Sequence, residues 1–207
     1  MPRISREESL ARRDQIVDAC EQLYQHQRYH DITLGQIAEG VSFCRANIYN
    51  YFQCKDEIFL ALLQREYERW ILDLHALADA APLSDEQLAD GLATSLAARP
   101  QLLKLMTMNL YDMEENSRVE KLVEFKEVYA RAVDALRDLL VASKNDWDET
   151  RIERFVFGFL PFMYGIYPYV FATDKQSEAM AEVGIGLPGL SIHDMSEPVI
   201  MALLANS

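Results

Sequence analysis

Arg45, Asn47 and Asn50 fall within one short stretch, with Tyr49, Tyr51 and Lys55 beside them. A guanidinium reads guanine, and a carboxamide reads adenine, each through two hydrogen bonds. Phenol hydroxyls and an ammonium group suit phosphate oxygens. Ile48 and Phe52, four residues apart, give the same stretch a thin apolar inner face. Just upstream, Ile37 and Ala38 form an apolar edge, and Gly40-Val41-Ser42 can turn the chain. Two short helices around such a turn, the second with a polar outer face, are what entry into a DNA groove requires.

Other residue types that do chemistry are thinner on the ground. No glycine-rich phosphate loop, nucleophile elbow, HExxH or paired Ser/His/Asp arrangement occurs, so no enzyme is expected. Cys20, Cys44 and Cys54 are odd in number and match neither a zinc nor a disulfide spacing. Cys44 precedes the polar stretch at a helix N-terminus, where a thiol pKa can fall; its simpler role is as a small cap. His26 and His30 are four apart but have no third ligand in view, so no metal and no cofactor are expected.

The elements that position these residues all read as helix. Ser5/Glu8, Thr33/Gln36, Ser84/Gln87, Ser117/Glu120 and Thr173/Gln176 each have the spacing of a capping box. Ile16, Cys20, Leu23 and Tyr24 share one face of a first helix over about 6–27. A short element at about 34–40, another at about 45–52 and a long helix over about 56–80 follow. Further helices are expected near 85–98, 100–114, 118–142, 149–172 and 196–205, with a Gly/Pro loop over 184–189. No strand period and no internal repeat is visible. The expected fold is all-α: a three-helix DNA-binding head over 1–54 and a helical bundle over 55–207.

The stretch from Thr33 to Phe59 resembles the TetR family of one-component regulators. That family's pattern is Thr-x-x-x-Ile-Ala, a turn, then Tyr-x-Tyr-Phe-x-x-Lys-Glu. Here it stands without a gap as Thr33, Ile37-Ala38, Tyr49-Asn50-Tyr51-Phe52 and Lys55-Asp56. The resemblance implies a DNA-binding repressor whose C-terminal bundle senses a ligand. It places Thr33 at a helix N-cap against the DNA backbone. It sets Arg45, Ala46, Asn47 and Asn50 against bases and Tyr49, Tyr51 and Lys55 against phosphates. One departure is Val41-Ser42-Phe43 where the family has Ala-Gly-Val. Serine rarely takes φ > 0, so a turn displaced onto Gly40 is expected.

Charge fits a protein that grips DNA through few groups. The formal net charge is −13, against the usual basic balance of nucleic-acid binders. Residues 1–56 hold seven Lys/Arg and eight Asp/Glu, so the acidic excess lies in the rest of the chain. Non-specific affinity should be weak and salt-dependent. The first residues contain no apolar signal segment, and a reducing cytoplasm is expected.

In the C-terminal part, Met106, Tyr111, Phe125, Tyr129, Phe159 and Met163 are candidates to line an apolar effector cavity. Phe155 to Ala172 is 18 residues without a charge. That length touches the lower limit of a membrane span, but two prolines and an acidic, soluble context favour a helix buried in protein. Helices 149–172 and 196–205 are expected to form a homodimer interface, with Gly158 and Gly165 allowing close approach. The partners expected are thus operator DNA, a second copy and a small-molecule effector, with no membrane. The alternatives are a helical protein-interaction module that binds no DNA, and a redox-responsive regulator acting through Cys44.

Overall fold

The computed structural model describes residues 5–186 and 189–206. Met1–Ile4, and Leu187 and Pro188 of the expected Gly/Pro loop, lie outside the described residues. The described chain is helical throughout and contains no strand. Its α-helices are α1 (Arg6–Tyr24), α2 (Leu34–Glu39), α3 (Lys55–Asp79), α4 (Asp85–Ala97), α5 (Pro100–Met106), α6 (Val119–Ser143), α7 (Glu149–Val170), α8 (Asp174–Glu182) and α9 (Ile192–Asn206). Two 3₁₀ turns, Tyr29–Asp31 and Arg45–Asn50, and a π-helical segment, Asn109–Glu114, complete the order.

The caps show why these segments start where they do. Thr33 and Ser84 make full capping boxes with Gln36 and Gln87, each satisfying two backbone donors. Ser5 and Thr173 accept from the amides of Glu8 and Gln176. The Ser117/Glu120 box does not form, because the Ser117 hydroxyl instead donates to the Met113 carbonyl at 2.7 Å and α6 begins two residues on. A further cap, unread in the sequence, pairs Ser191 with Asp194 and starts α9 at Ile192 rather than near 196.

The chain folds as two compact units. The first comprises residues 1–65 together with 108–126. Its core is built from Ile16, Cys20, Tyr24, Ile37, Ile48, Phe52 and Phe59, joined by Met113 and Phe125 from the distant segment. Tyr24 and Tyr29 both meet the Phe59 ring edge-on, at 5.1 and 4.8 Å. This unit extends beyond the head expected over 1–54 and draws on two separate stretches of sequence.

The second unit holds residues 66–107 and 127–207. There α4 packs along α9, and α7 packs against α5 and α9. Trp70 is wholly buried and donates to the Ser95 hydroxyl at 3.1 Å, which in turn donates to the Leu92 carbonyl. Helix α7 buries Ile152, Phe155, Val156, Phe159, Leu160, Met163 and Ile166, one helical stripe. Its other side leaves Phe157, Pro161, Gly165 and Pro168 open. The two glycines thus serve different purposes. A Cβ on Gly158 would lie 2.7 Å from Leu203 Cδ2 of the same chain, whereas one on Gly165 would meet nothing within 4 Å. Among the described residues no single helix is long and apolar enough to cross a membrane.

Candidate nucleic-acid interface

The polar stretch from Arg45 to Asn50 is a 3₁₀ turn, not the α-helix expected over 45–52. Its own composition explains this. Asn47, Ile48, Tyr49 and Asn50 all rank low in helix propensity, and Cys44, in the N-cap position, makes no side-chain capping bond. Ile48 is buried and anchors the turn. Arg45, Ala46, Tyr49 and Asn50 are exposed, and Asn47 and Tyr51 are half-buried. The outer surface is therefore polar but for the Ala46 methyl, on a buried isoleucine.

Helix α2 lies beside it. Thr33 caps α2 and is itself exposed. The Arg45 guanidinium reaches across the first turn of α2, since a Cβ on Gly35 would stand 3.7 Å from Arg45 Nη1 and 3.6 Å from Thr33 Oγ1. Thr33 and Arg45, separated by twelve positions, thus share one small surface.

The turn between the two elements needs no left-handed residue. Gly40 ends α2 with φ −86° and ψ 0°, and among the described residues no non-glycine has positive φ. Serine at position 42 is accordingly unstrained, and its hydroxyl donates to Gln15 Oε1 at 3.0 Å. The glycine is required at position 40 for a different reason, because a Cβ there would stand 2.8 Å from the Ala19 Cβ of α1. Neither atom can rotate away. Gly40→Ala should force α1 and α2 apart and cost about 1–2 kcal/mol, at the low end for overpacking. Thermal unfolding measures this, and an unchanged midpoint would show that the helices part freely.

Lys55 departs from expectation. Its ammonium donates to the carbonyls of Tyr29 at 2.9 Å and Ile32 at 3.2 Å, and lies 4.2 Å from the Tyr29 ring centre. It therefore secures the strand of chain that leads into the Thr33 cap. An ammonium has three protons, so one remains for a phosphate. Beside it the Tyr29 hydroxyl donates to Asp56. Burial first, and then the Asp56 carboxylate, hold that phenol well above its ordinary range.

Glu57, in the first turn of α3, is 1% exposed. Burial would raise its pKa, yet the balance is a lowering, because Arg118 and two backbone N–H groups, those of Gln53 and Arg118, donate to it. This carboxylate and its partners gave no signal in the local sequence pattern, as Arg118 lies 61 positions away.

The candidate effector residues are divided between the two units. Tyr111 is 83% exposed, because the helix expected over 100–114 breaks after Met106 and resumes as the π-helical segment that turns Tyr111 outward. Tyr111 and Phe125 belong to the first unit, and Met106, Tyr129, Phe159 and Met163 to the second. Met106, Phe159 and Met163 are closed off from solvent, and Tyr129 is half-buried with its ring 5.7 Å from that of Tyr67. Open hollows of the second unit lie elsewhere, one lined by Glu149, Glu153, Arg154 and Phe157. Of the cysteines, Cys20 is buried, and burial followed by Glu21 pushes its thiol up to about 12. Cys54 is also raised, first by burial.

Comparison with known proteins gives a consistent picture. Residues 16–62 match the family described as bacterial regulatory proteins, tetR family. Residues 64–205 match the tetracyclin repressor-like C-terminal domain. A helix-turn-helix transcriptional repressor of Mycobacterium tuberculosis is 30% identical over 107 residues, which is 52% of each chain. The match therefore spans about half the length of that curated relative. Among solved structures, the fatty acid degradation regulator FadR of Bacillus halodurans is 18% identical, with a TM-score of 0.59 over 93% of this chain and 94% of its own. FadR of Bacillus subtilis, solved with stearoyl-CoA, is also 18% identical, with a TM-score of 0.57 over 94% and 98%. The repressor AlkX of a Dietzia strain, implicated in n-alkane biodegradation, is 14% identical with a TM-score of 0.51 over 93% and 95%. These likenesses show a shared all-α fold.

Proposed function

This chain belongs to the TetR family, and from that premise we propose that it is a cytoplasmic, homodimeric transcriptional repressor that leaves its operator when a small apolar effector binds. The observation that carries the reading is the single surface holding Thr33, Arg45, Ala46, Tyr49 and Asn50, all exposed, on the buried Ile48 anchor. Such a surface presents a guanidinium and a carboxamide to base edges, with hydroxyls beside them for phosphates. Asn47 and Tyr51 border it, and the remaining proton of Lys55 joins the phosphate contacts. Catalysis has no part in this reading.

A two-fold protein presents two identical reading segments, so the operator should be a pseudo-palindrome. Arg45→Ala or Asn47→Ala should relax base preference at one position of each half-site and cost about 1–3 kcal/mol. Titration of fluorescent duplexes from the promoter beside the gene, with each half-site position varied in turn, measures this. Variants that kept the wild-type base preference would remove these residues from base reading. Wild-type protein that bound no duplex at all would favour the interaction-module alternative.

For the effector, the reading takes a ligand with a long apolar portion, received among Met106, Phe159 and Met163, which are buried core residues in this structure. Because these side chains are closed off, the bundle must open to admit it. The stearoyl-CoA held by the Bacillus subtilis neighbour is one ligand class with such a portion. By linkage, an effector that weakens operator binding is itself bound more weakly by the DNA complex, by the same factor.

A further inference from the structure

The reading segment ends in an arrangement that ordinary helix–turn–helix packing does not require. The Tyr51 and Phe52 amides donate back to the Ile48 carbonyl at 2.9 and 3.0 Å, and beyond them the exit from the turn is held by side chains. The Tyr51 carbonyl accepts from Arg118 Nη2 at 3.4 Å, and the Gln53 amide donates to Glu57 Oε2 at 2.7 Å. Glu57 and Arg118 are in turn joined to each other. Arg118 Nε donates to Oε1 at 2.6 Å, Nη2 to Oε2 at 2.8 Å, and the Arg118 amide to Oε1 at 3.2 Å. The buried carboxylate thus accepts four hydrogen bonds, three of them from one residue.

Arg118 does not come from the head of the sequence. It stands at the entrance to α6, inside the stretch matched by the C-terminal domain. The peptide before it is fastened to the same place: Cys54 Sγ approaches the Asn116 carbonyl at 3.5 Å, and Asn116 Nδ2 donates to the Asp112 carbonyl at 2.7 Å. A planar fork on a buried carboxylate fixes direction as well as distance.

We propose that Arg118 is a positioning residue for operator recognition. Acting through Glu57 and the Tyr51 carbonyl, it sets the angle at which the Arg45–Asn50 turn meets DNA. The proposal rests on the DNA-binding reading above. It makes a side chain of the C-terminal domain part of the reading head, without touching DNA itself.

The test uses the full-length protein, an operator duplex and a scrambled duplex of equal length, titrated over a range of salt. Arg118→Met should lose about tenfold in operator affinity, the scale of one charge-assisted hydrogen bond. Scrambled-duplex affinity and the salt slope should stay as in the wild type, since no phosphate contact is lost. Arg118→Lys should recover part of the loss, because an ammonium reaches Glu57 but cannot fork. Glu57→Gln gives an independent arm should Arg118→Met fail to fold. It should show the same selective loss, and the double variant should be no worse than Glu57→Gln alone. Equal loss on both duplexes, a salt slope shallower by about one unit, additive losses or an unchanged operator affinity would each overturn the proposal. Wild-type protein that failed to prefer any duplex would instead overturn the DNA-binding reading, and this proposal with it.

Discussion

Gly165→Glu is expected to turn the protein into a monomer and to weaken operator binding by about 100-fold or more, the scale of lost bivalency. The single chain gives no reason for any such effect. A Cβ at position 165 meets nothing within 4 Å, and replacing a helix-interior glycine favours the helix by up to about 1 kcal/mol. Whatever the glutamate disturbs must therefore belong to a second molecule. The outer face of α7 carries Phe157, Pro161, Gly165 and Pro168, and the phenylalanine is 66% exposed. On α9, Pro198 and Ala202 are exposed as well. Pairing these faces about a two-fold axis would bury each new carboxylate against an apolar surface. Light scattering, thermal unfolding and an operator titration together decide the matter. A variant that remained a dimer and bound the operator normally would remove this face from the interface.

The second large effect is expected of Lys55→Met, and it should appear in two measurements of different kinds. Methionine keeps the stem but removes the donors to the Tyr29 and Ile32 carbonyls. Hydrogen bonds from charged donors contribute about 1.5–3 kcal/mol each, so unfolding stability should fall by about 3 kcal/mol. Those carbonyls precede Thr33, so the start of α2 should lose its fixed position and operator affinity should fall too. If the third proton also reaches a phosphate, the slope of log affinity against log salt should become shallower by about 0.9. Chemical denaturation isolates the first contribution and the salt series the second. Unchanged denaturation would show that the two carbonyls find other partners at no cost.

What could be read in the sequence and what could not differ in their range along the chain. Thr33/Gln36 and Ser84/Gln87 were legible because a capping box closes within four residues and depends on little else. The same spacing at Ser117/Glu120 misled, since the Ser117 hydroxyl had the Met113 carbonyl available in the preceding turn. The exposed surface of Arg45, Ala46, Tyr49 and Asn50 was legible for the local reason that Ile48 and Phe52 are buried. The shape of that segment was not, because a six-residue element takes its geometry from its surroundings. Lys55 was identified as important, but its partners lie 23 and 26 positions earlier. The Glu57–Arg118 pair, and the scattering of the six effector candidates over two units, depend on contacts that no periodicity encodes. Thr173 announced α8 by its cap, yet that helix buries nothing and so had no apolar stripe to confirm it.

The seat of Leu203 on Gly158 bears on how this bundle can change over time. With 2.7 Å between the leucine Cδ2 and the place a Cβ would occupy, growth at 158 requires the flexible end of the leucine to swing aside. A single methyl at 158 can be met by that movement, whereas a bulkier residue there also needs a smaller one at 203. The two positions are therefore expected to be coupled across α7 and α9 in what they accept. Chains with a residue larger than alanine at 158 should be those in which position 203 is small. The neighbouring outward face, with an unoccupied Gly165, is under no such bond within the chain. If a second copy covers that face, as proposed, its substitutions answer to the partner instead, and the two glycines of one helix are constrained from different sides.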